Sequence, residues 1–171
     1  MSKYVMGLDL SLTSTGVAVV DWEDAMTMAW TLPLDRKVKG DYRLVHLSKD
    51  LEGLLRQWEP ALVVLEDLPT HAKSAGLTGR AQGVAREVLR RLDVPYMSTS
   101  PATLKKSATG SGRADKQGMR EAAEMQSARA RSILSNSDEV DAYWLAQMGL
   151  EYIGLENSLI YPEVVKLKEE K

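Results

Sequence analysis

Four acidic residues stand where solvent-facing charge is not expected. Asp9 lies inside the apolar stretch YVMGLDL, where Asp is disfavoured in a strand and a lone buried charge is costly. By the two-residue alternation of a strand it shares a face with Val5 and Gly7. Glu66 closes the run ALVVL, which places a second carboxylate at the carboxyl end of a buried strand. Asp138 and Asp141 are three apart at the start of a helical pattern, so their side chains project from one face. Glu139, about 100° further round that helix, should point elsewhere.

Each acid also has a plainer explanation. Asp138 would favour the positive end of a helix dipole, with Asn136 or Ser137 as the cap. Glu66 and Asp67 would serve as ordinary polar residues at a strand end. Asp9 is harder to place this way, because apolar residues surround it. If the four carboxylates meet at one end of a sheet, they repel one another unless cations lie between them. Oxygen donors without Cys or a His cluster suit hard divalent ions. The chemistry such a set implies is a pair of Mg²⁺-class ions about 3.5–4 Å apart, activating water and stabilising the leaving oxygen of a phosphodiester.

The elements that must position these groups are legible in outline. Residues 4–10, 16–22 and 26–32 read as short strands joined by tight turns, an antiparallel meander. Residues 41–58 switch to helical period, with Leu44, Leu47, Leu51, Leu54, Leu55 and Trp58 on one face and Pro60 beyond the end. Residues 61–65 are a strand buried on both faces, 75–92 a helix with Gly79 and Gly83 near its start, and 94–99 a fifth strand. A short helix opens at Ser100–Pro101, the loop 109–112 follows, and helices cover 114–126 and 138–150. Strands connected through helices pair in parallel with right-handed crossovers. The expected fold is therefore α/β, a mixed five-stranded sheet with helices on both faces. One domain over 1–154 and a short tail over 155–171 account for the chain.

Composition narrows the chemistry further. The chain has 171 residues, 44% of them hydrophobic and 27% charged, which excludes wholesale disorder. There is no Cys, so a disulfide scaffold, a thiolate zinc site and a cysteine nucleophile are all excluded, and the two His leave little for an imidazole metal site. The opening has too short an apolar stretch for a secretory leader, and no run approaches ~18 apolar residues, so a cytoplasmic protein without a membrane partner is expected. The net charge of −2 conceals an asymmetry: residues 71–131 hold twelve Lys or Arg against five Asp or Glu. A basic segment within an acidic chain is what a phosphate-binding surface looks like in sequence, although a pair of solvated Lys/Arg-rich helices gives the same count.

Taken in order, these landmarks resemble the RuvC-like Holliday-junction resolvases of the ribonuclease H-like superfamily, over most of the chain. GLDLSLTSTGVAVVD looks like the family's first strand with Asp9 as its first acid, and Glu66 in VVLED matches the second. SAGLTGRAQGVA resembles the family's small-residue helix start, and LKKSATGSGRADK its Lys-containing Thr-Gly-x-Gly-x-Ala-x-Lys segment. Asp138-Glu-Val-Asp141-Ala looks like the closing acid pair. DLSLTSTG is also similar to the phosphate-gripping hairpin of actin-like and sugar-kinase ATPases, but those need two such domains, which 171 residues cannot supply.

The resemblance implies a crossover junction endodeoxyribonuclease acting on branched DNA, four-way junctions above all, as a homodimer. The alternative is a branch-binding module of the same fold that does not cut. Asp9, Glu66, Asp138 and Asp141 would bind two Mg²⁺, with Mn²⁺ able to substitute, and Asp9 would bridge them. Lys116 would approach the scissile phosphate. Lys105, Lys106, Arg113, Ser74 and Arg80 would contact DNA, and the loop 109–112 would let peptide N–H groups come close to it. Ala75, Gly79 and Gly83 would permit the close helix packing that accompanies the family's dimer interface. The sequence departs from the family at one point. An aromatic that commonly follows the second acid, used to wedge against bases, is absent from Glu66-Asp67-Leu68-Pro69-Thr70-His71, and the chain has no Phe; Leu68 or His71 would have to substitute.

Overall fold

The computed structural model describes residues 3–23, 27–33, 37–68 and 75–158. Three strands, β1 (Tyr4–Asp9), β2 (Ser14–Asp21) and β3 (Thr27–Pro33), form the antiparallel meander. Helix α1 (Tyr42–Trp58) leads to β4 (Leu62–Glu66), and α2 (Ala75–Arg91) leads to β5 (Tyr96–Thr99). Both of these strands run parallel to their neighbours, giving the order β3-β2-β1-β4-β5. The expected mixed five-stranded sheet is present.

Strand alternation sorts the side chains into two layers. Met6, Leu8, Val17, Val19, Val63 and Leu65 face α1 and α2, which bury Leu47, Leu51 and Leu55 from the first helix and Ala81, Ala85, Val88 and Leu89 from the second. The opposite face carries Ala18, Val20, Leu62 and Val64. It is covered by α6 (Ser137–Ser158), with α3 (Pro101–Thr109) and α4 (Lys116–Gln126) packed against that helix and α5 (Ala128–Ile133) seated on α4 and β3. Asp9 alternates with Val5 and Gly7, and Glu66 with Leu62 and Val64, so both acids belong to the α6 side.

Strand β2 starts two residues early, at Ser14, and α4 two residues late, at Lys116; three further differences have a physical reason. Strand β5 begins at Tyr96, two residues late, because Asp93 takes a left-handed φ of 55° and the Val94 N–H bonds back to Leu89 O at 2.9 Å. Helix α5 was not foreseen. Its six residues are too few to show a period, and the Ser127 side chain starts it by accepting from the Arg129 N–H. Helix α6 runs well past residue 150 to Ser158, through Gly154. Between the sheet and α3 and α4 it buries Val140, Ala142, Tyr143, Trp144, Leu145 and Ala146, so most of its circumference is apolar and no polar stripe marks where it stops. Among the described residues no helix is long and apolar enough to cross a membrane.

At its closest points the contact between α6 and the sheet is backbone to backbone. A Cβ on Gly7 would overlap the Ala142 carbonyl oxygen and crowd the Ala146 nitrogen, and one on Gly16 would overlap the Asp138 carbonyl. Gly is needed at both positions because any side chain would lift the helix from the strands. Gly7→Ala and Gly16→Ala should each destabilise the protein by on the order of 3 kcal/mol or more, since the colliding atoms are main chain and cannot swing aside. Urea unfolding followed by far-ultraviolet circular dichroism checks this, and a loss below about 1 kcal/mol would contradict the packing described.

Candidate active site

The sheet's carboxyl edge collects the acids. Asp9 ends β1 opposite Gly16, and Glu66 ends β4 opposite Thr99. The first turns of α6 carry Asp138 and Asp141, and the seat of that helix on Gly16 and Gly7 brings them to the same edge. Burial pushes the Asp9 carboxyl up to about 8, helped by the charges of Asp141, Glu66 and Asp138 and opposed by Lys116. Burial also raises Glu66 to about 7, with Asp141 adding to the effect and Lys105 working against it. Asp141 is raised chiefly by burial and by Asp138, while Lys116 and Lys105 pull it down. The structure therefore brings together the four predicted acids and two of the predicted cations.

Local capping explains how these groups are aimed. Asn136 caps α6, its Oδ1 accepting from the Glu139 N–H at 3.0 Å, so Asp138 is not spent as the cap. Glu139 turns away from the acids, as its position predicts. Its buried carboxylate accepts from Thr31 Oγ1 (2.9 Å), the Ser135 N–H (2.6 Å) and Asn136 Nδ2 (3.0 Å). Lys116 is the first residue of α4, where the Asp115 cap accepts from the Gly118 N–H at 2.8 Å. From there its ammonium donates to Ser137 Oγ at 3.1 Å, beside Asp138. Asp67 has a structural role, accepting from Arg86 (2.7 Å) and Ser98 (2.9 Å). The Glu66 main chain is held by Gln82 Nε2, which donates to its carbonyl at 2.5 Å.

Two hydroxyls beside Asp138 were missed at the sequence level. Ser14 Oγ donates to Asp138 Oδ2 at 2.6 Å, and Ser137 Oγ donates to Oδ1 at 3.3 Å. In sequence Ser137 reads only as a cap, and nothing in the chain pairs Ser14 with a residue 124 positions away.

The basic segment does not form a single surface. Arg86 pairs with Asp67, Arg91 with Glu52 and Glu87, and Arg90 lies over the Tyr96 ring, all through α2 on the other face of the sheet. Arg120 donates to Leu134 O and Arg129 to Thr27 O, so these two also serve packing. Lys105, Lys106, Arg113 and Lys116 are left around α3 and the start of α4, all but the half-buried Lys105 exposed. Arg80 reaches Asp41 at 3.9 Å and does not act on the acids. Ser74 and His71 lie outside the described residues, and Leu68 leans on α2 beside Gly79. Gly110 in the loop 109–112 closes α3 with a left-handed φ of 79°.

The donor set fits hard divalent ions: all-oxygen, strongly anionic, and without Cys or His. The carboxylates stand near enough to repel one another, though among the described residues no three converge tightly enough to cage an ion. Such an arrangement costs folding energy. Asp9 ordinarily titrates near 3.8 and here near 8. Below 3.8 both folded and unfolded forms are protonated, and no penalty exists. As pH rises through this window the unfolded chain ionises first, so stability falls until about pH 8. In chelator, Asp9→Asn should therefore raise stability at pH 8 by about 2–4 kcal/mol and change it little at pH 4. Thermal melts at the two pH values check this, and an equal effect at both would show that Asp9 is not held protonated by its surroundings.

Comparison with known proteins agrees with this fold. RuvC from Rickettsia conorii is 28% identical over 147 residues, covering 83% of this chain and 93% of its own. The structure of Thermus thermophilus RuvC superposes with a TM-score of 0.74 at 19% identity, covering 89% of this chain and 96% of that one. The same protein in complex with a Holliday junction substrate superposes with a TM-score of 0.71 at 19% identity, over 84% of this chain and 90% of that one. These superpositions establish the fold as ribonuclease H-like. The family model for crossover junction endodeoxyribonuclease RuvC matches residues 5–145, from the first strand through the acid pair of α6, and the chain accordingly belongs to the RuvC family.

Proposed function

We propose that this protein is a metal-dependent endonuclease that resolves four-way DNA junctions, and related branches, by hydrolysing phosphodiesters as a homodimer. The observation that carries this reading is the cluster of four mutually repelling carboxylates at the sheet edge, in a chain of the RuvC family. Asp9, Glu66, Asp138 and Asp141 would hold two Mg²⁺, and Mn²⁺ would substitute. The chemistry such a pair supplies when bound is activation of water and stabilisation of the leaving oxygen. Lys105, Lys106 and Arg113 would hold the DNA backbone against this edge. Lys116, released from Ser137, would place its ammonium against the phosphate where charge develops.

A panel of four-way, three-way and linear DNAs with Mg²⁺ tests the reading. The four-way junction should be cut, chelator should abolish cutting, and Asp9→Asn should bind the junction without cutting it. Lys116→Ala should lower the rate at saturating DNA, and neutralising Lys105, Lys106 or Arg113 should mainly weaken binding, more so as salt rises. Junction binding with no cleavage in any divalent metal would favour the branch-binding module.

The homodimer rests on a separate argument. Two symmetric cuts need two active sites, and one chain supplies one set of four acids. A two-fold dimer supplies the second through a single self-complementary patch. Among the described residues, Gly83 on α2 has open space where a Cβ would stand and Gly79 meets only Leu68 Cδ1 at 3.3 Å, so packing among them does not require either glycine. Each costs roughly 1 kcal/mol of helix stability relative to Ala. Gly83→Leu should shift sedimentation toward monomer and leave nicked junctions. A monomer that still makes paired cuts would refute the dimer.

A further inference from the structure

Asp138 is the acid of the cluster with both oxygens engaged by hydroxyls in the structure. Ser14, the first residue of β2, donates to Oδ2 at 2.6 Å, within the range of a charge-assisted bond to a carboxylate. The turn before it is tied down: Thr15, fully buried, accepts the Ser11 N–H at 3.2 Å and donates back to Ser11 O at 2.9 Å. Gly16, two residues on, lies directly beneath the Asp138 backbone. Backbone and side chain of Asp138 are thus referenced to the same short segment of β2. On the other oxygen the bond from Ser137 is longer, 3.3 Å, and Ser137 at the same time accepts from Lys116.

We infer that Ser14 is a positioning residue for Asp138, fixing the rotation of its carboxylate through the short bond to Oδ2 before ions bind. This rests on the metal-dependent reading above. A carboxylate on a helix start otherwise rotates freely about its last torsion, and Lys116 at the neighbouring Ser137 offers it a competing partner. A fixed hydroxyl removes that freedom before any ion arrives. Ser137 then links the orientation of Asp138 to Lys116, so the acid and the cation are set together.

The test is Mg²⁺ binding to the full chain without DNA, by calorimetry, beside junction cleavage across a Mg²⁺ series. Ser14→Ala should weaken Mg²⁺ binding about 10-fold and raise the Mg²⁺ needed for half-maximal cleavage by a similar factor. High Mg²⁺ should recover the lost rate, Ser14→Thr should restore wild-type behaviour because it keeps the hydroxyl, and the melting temperature in chelator should hardly move. Wild-type Mg²⁺ affinity in Ser14→Ala would overturn the assignment while leaving the nuclease reading intact. A loss that Mg²⁺ does not recover, together with a lowered melting temperature, would also overturn it, showing a structural bond only. A wild-type protein that neither binds Mg²⁺ nor cuts would overturn both.

Discussion

The structure depends on one close contact, the approach of α6 to the sheet at main-chain distance over Gly7 and Gly16. Two of the four acids belong to strands and two to this helix, so their separation is set by how deeply the helix sits. With ordinary side chains between them, helix and sheet would stand further apart. The glycines take that spacer away and bring the first turns of α6 to the ends of β1 and β4. The capping by Asn136, the anchoring of Glu139 on Thr31 and the Trp144 bond to Met119 O at 3.0 Å all stabilise a helix whose depth is already decided.

That depth has an energetic cost. Burial, with the charges of neighbouring acids added, raises Asp9 and Glu66 far above the ordinary carboxylate range, so at neutral pH the fold holds charge, or its protonated substitute, in a place that opposes folding. The two apolar layers supply the compensation. Buried leucines and valines fill the α1–α2 side, and the apolar body of α6 fills the other. Strain collected at one edge and offset by an uninterrupted core is the usual thermodynamic form of a functional site.

Much of this arrangement could be read from the residues. The two-residue period of YVMGLDL placed Asp9 with Val5 and Gly7, and the run ALVVL placed Glu66 at a strand end. The three-residue spacing of Asp138 and Asp141 put both on one helix face while sending Glu139 elsewhere. These inferences hold because periodicity is local and needs no knowledge of tertiary structure. What was hidden is non-local or too short to repeat. The Ser14 bond spans 124 positions, α5 has only six residues, and α6 is apolar around most of its circumference, so its end has no period to break. The positive charge of residues 71–131 looked like one stripe, yet the sheet separates α2 from α3 and α4 and divides it.

A spacing set by backbone against backbone also insulates the acids from drift elsewhere in the protein. Exchanging Leu for Ile or Val in either layer changes how α1, α2 or α4 fits its neighbours, because those elements rest on interlocking side chains. At Gly7 the interval between β1 and α6 has no side chain whose size could vary, so at that point it does not follow such exchanges. Two proteins built this way can differ at most core positions and still present the same four carboxylates at the same separations, provided the two glycines stay. The tolerance of the fold and the intolerance of its chemistry are thereby assigned to different atoms.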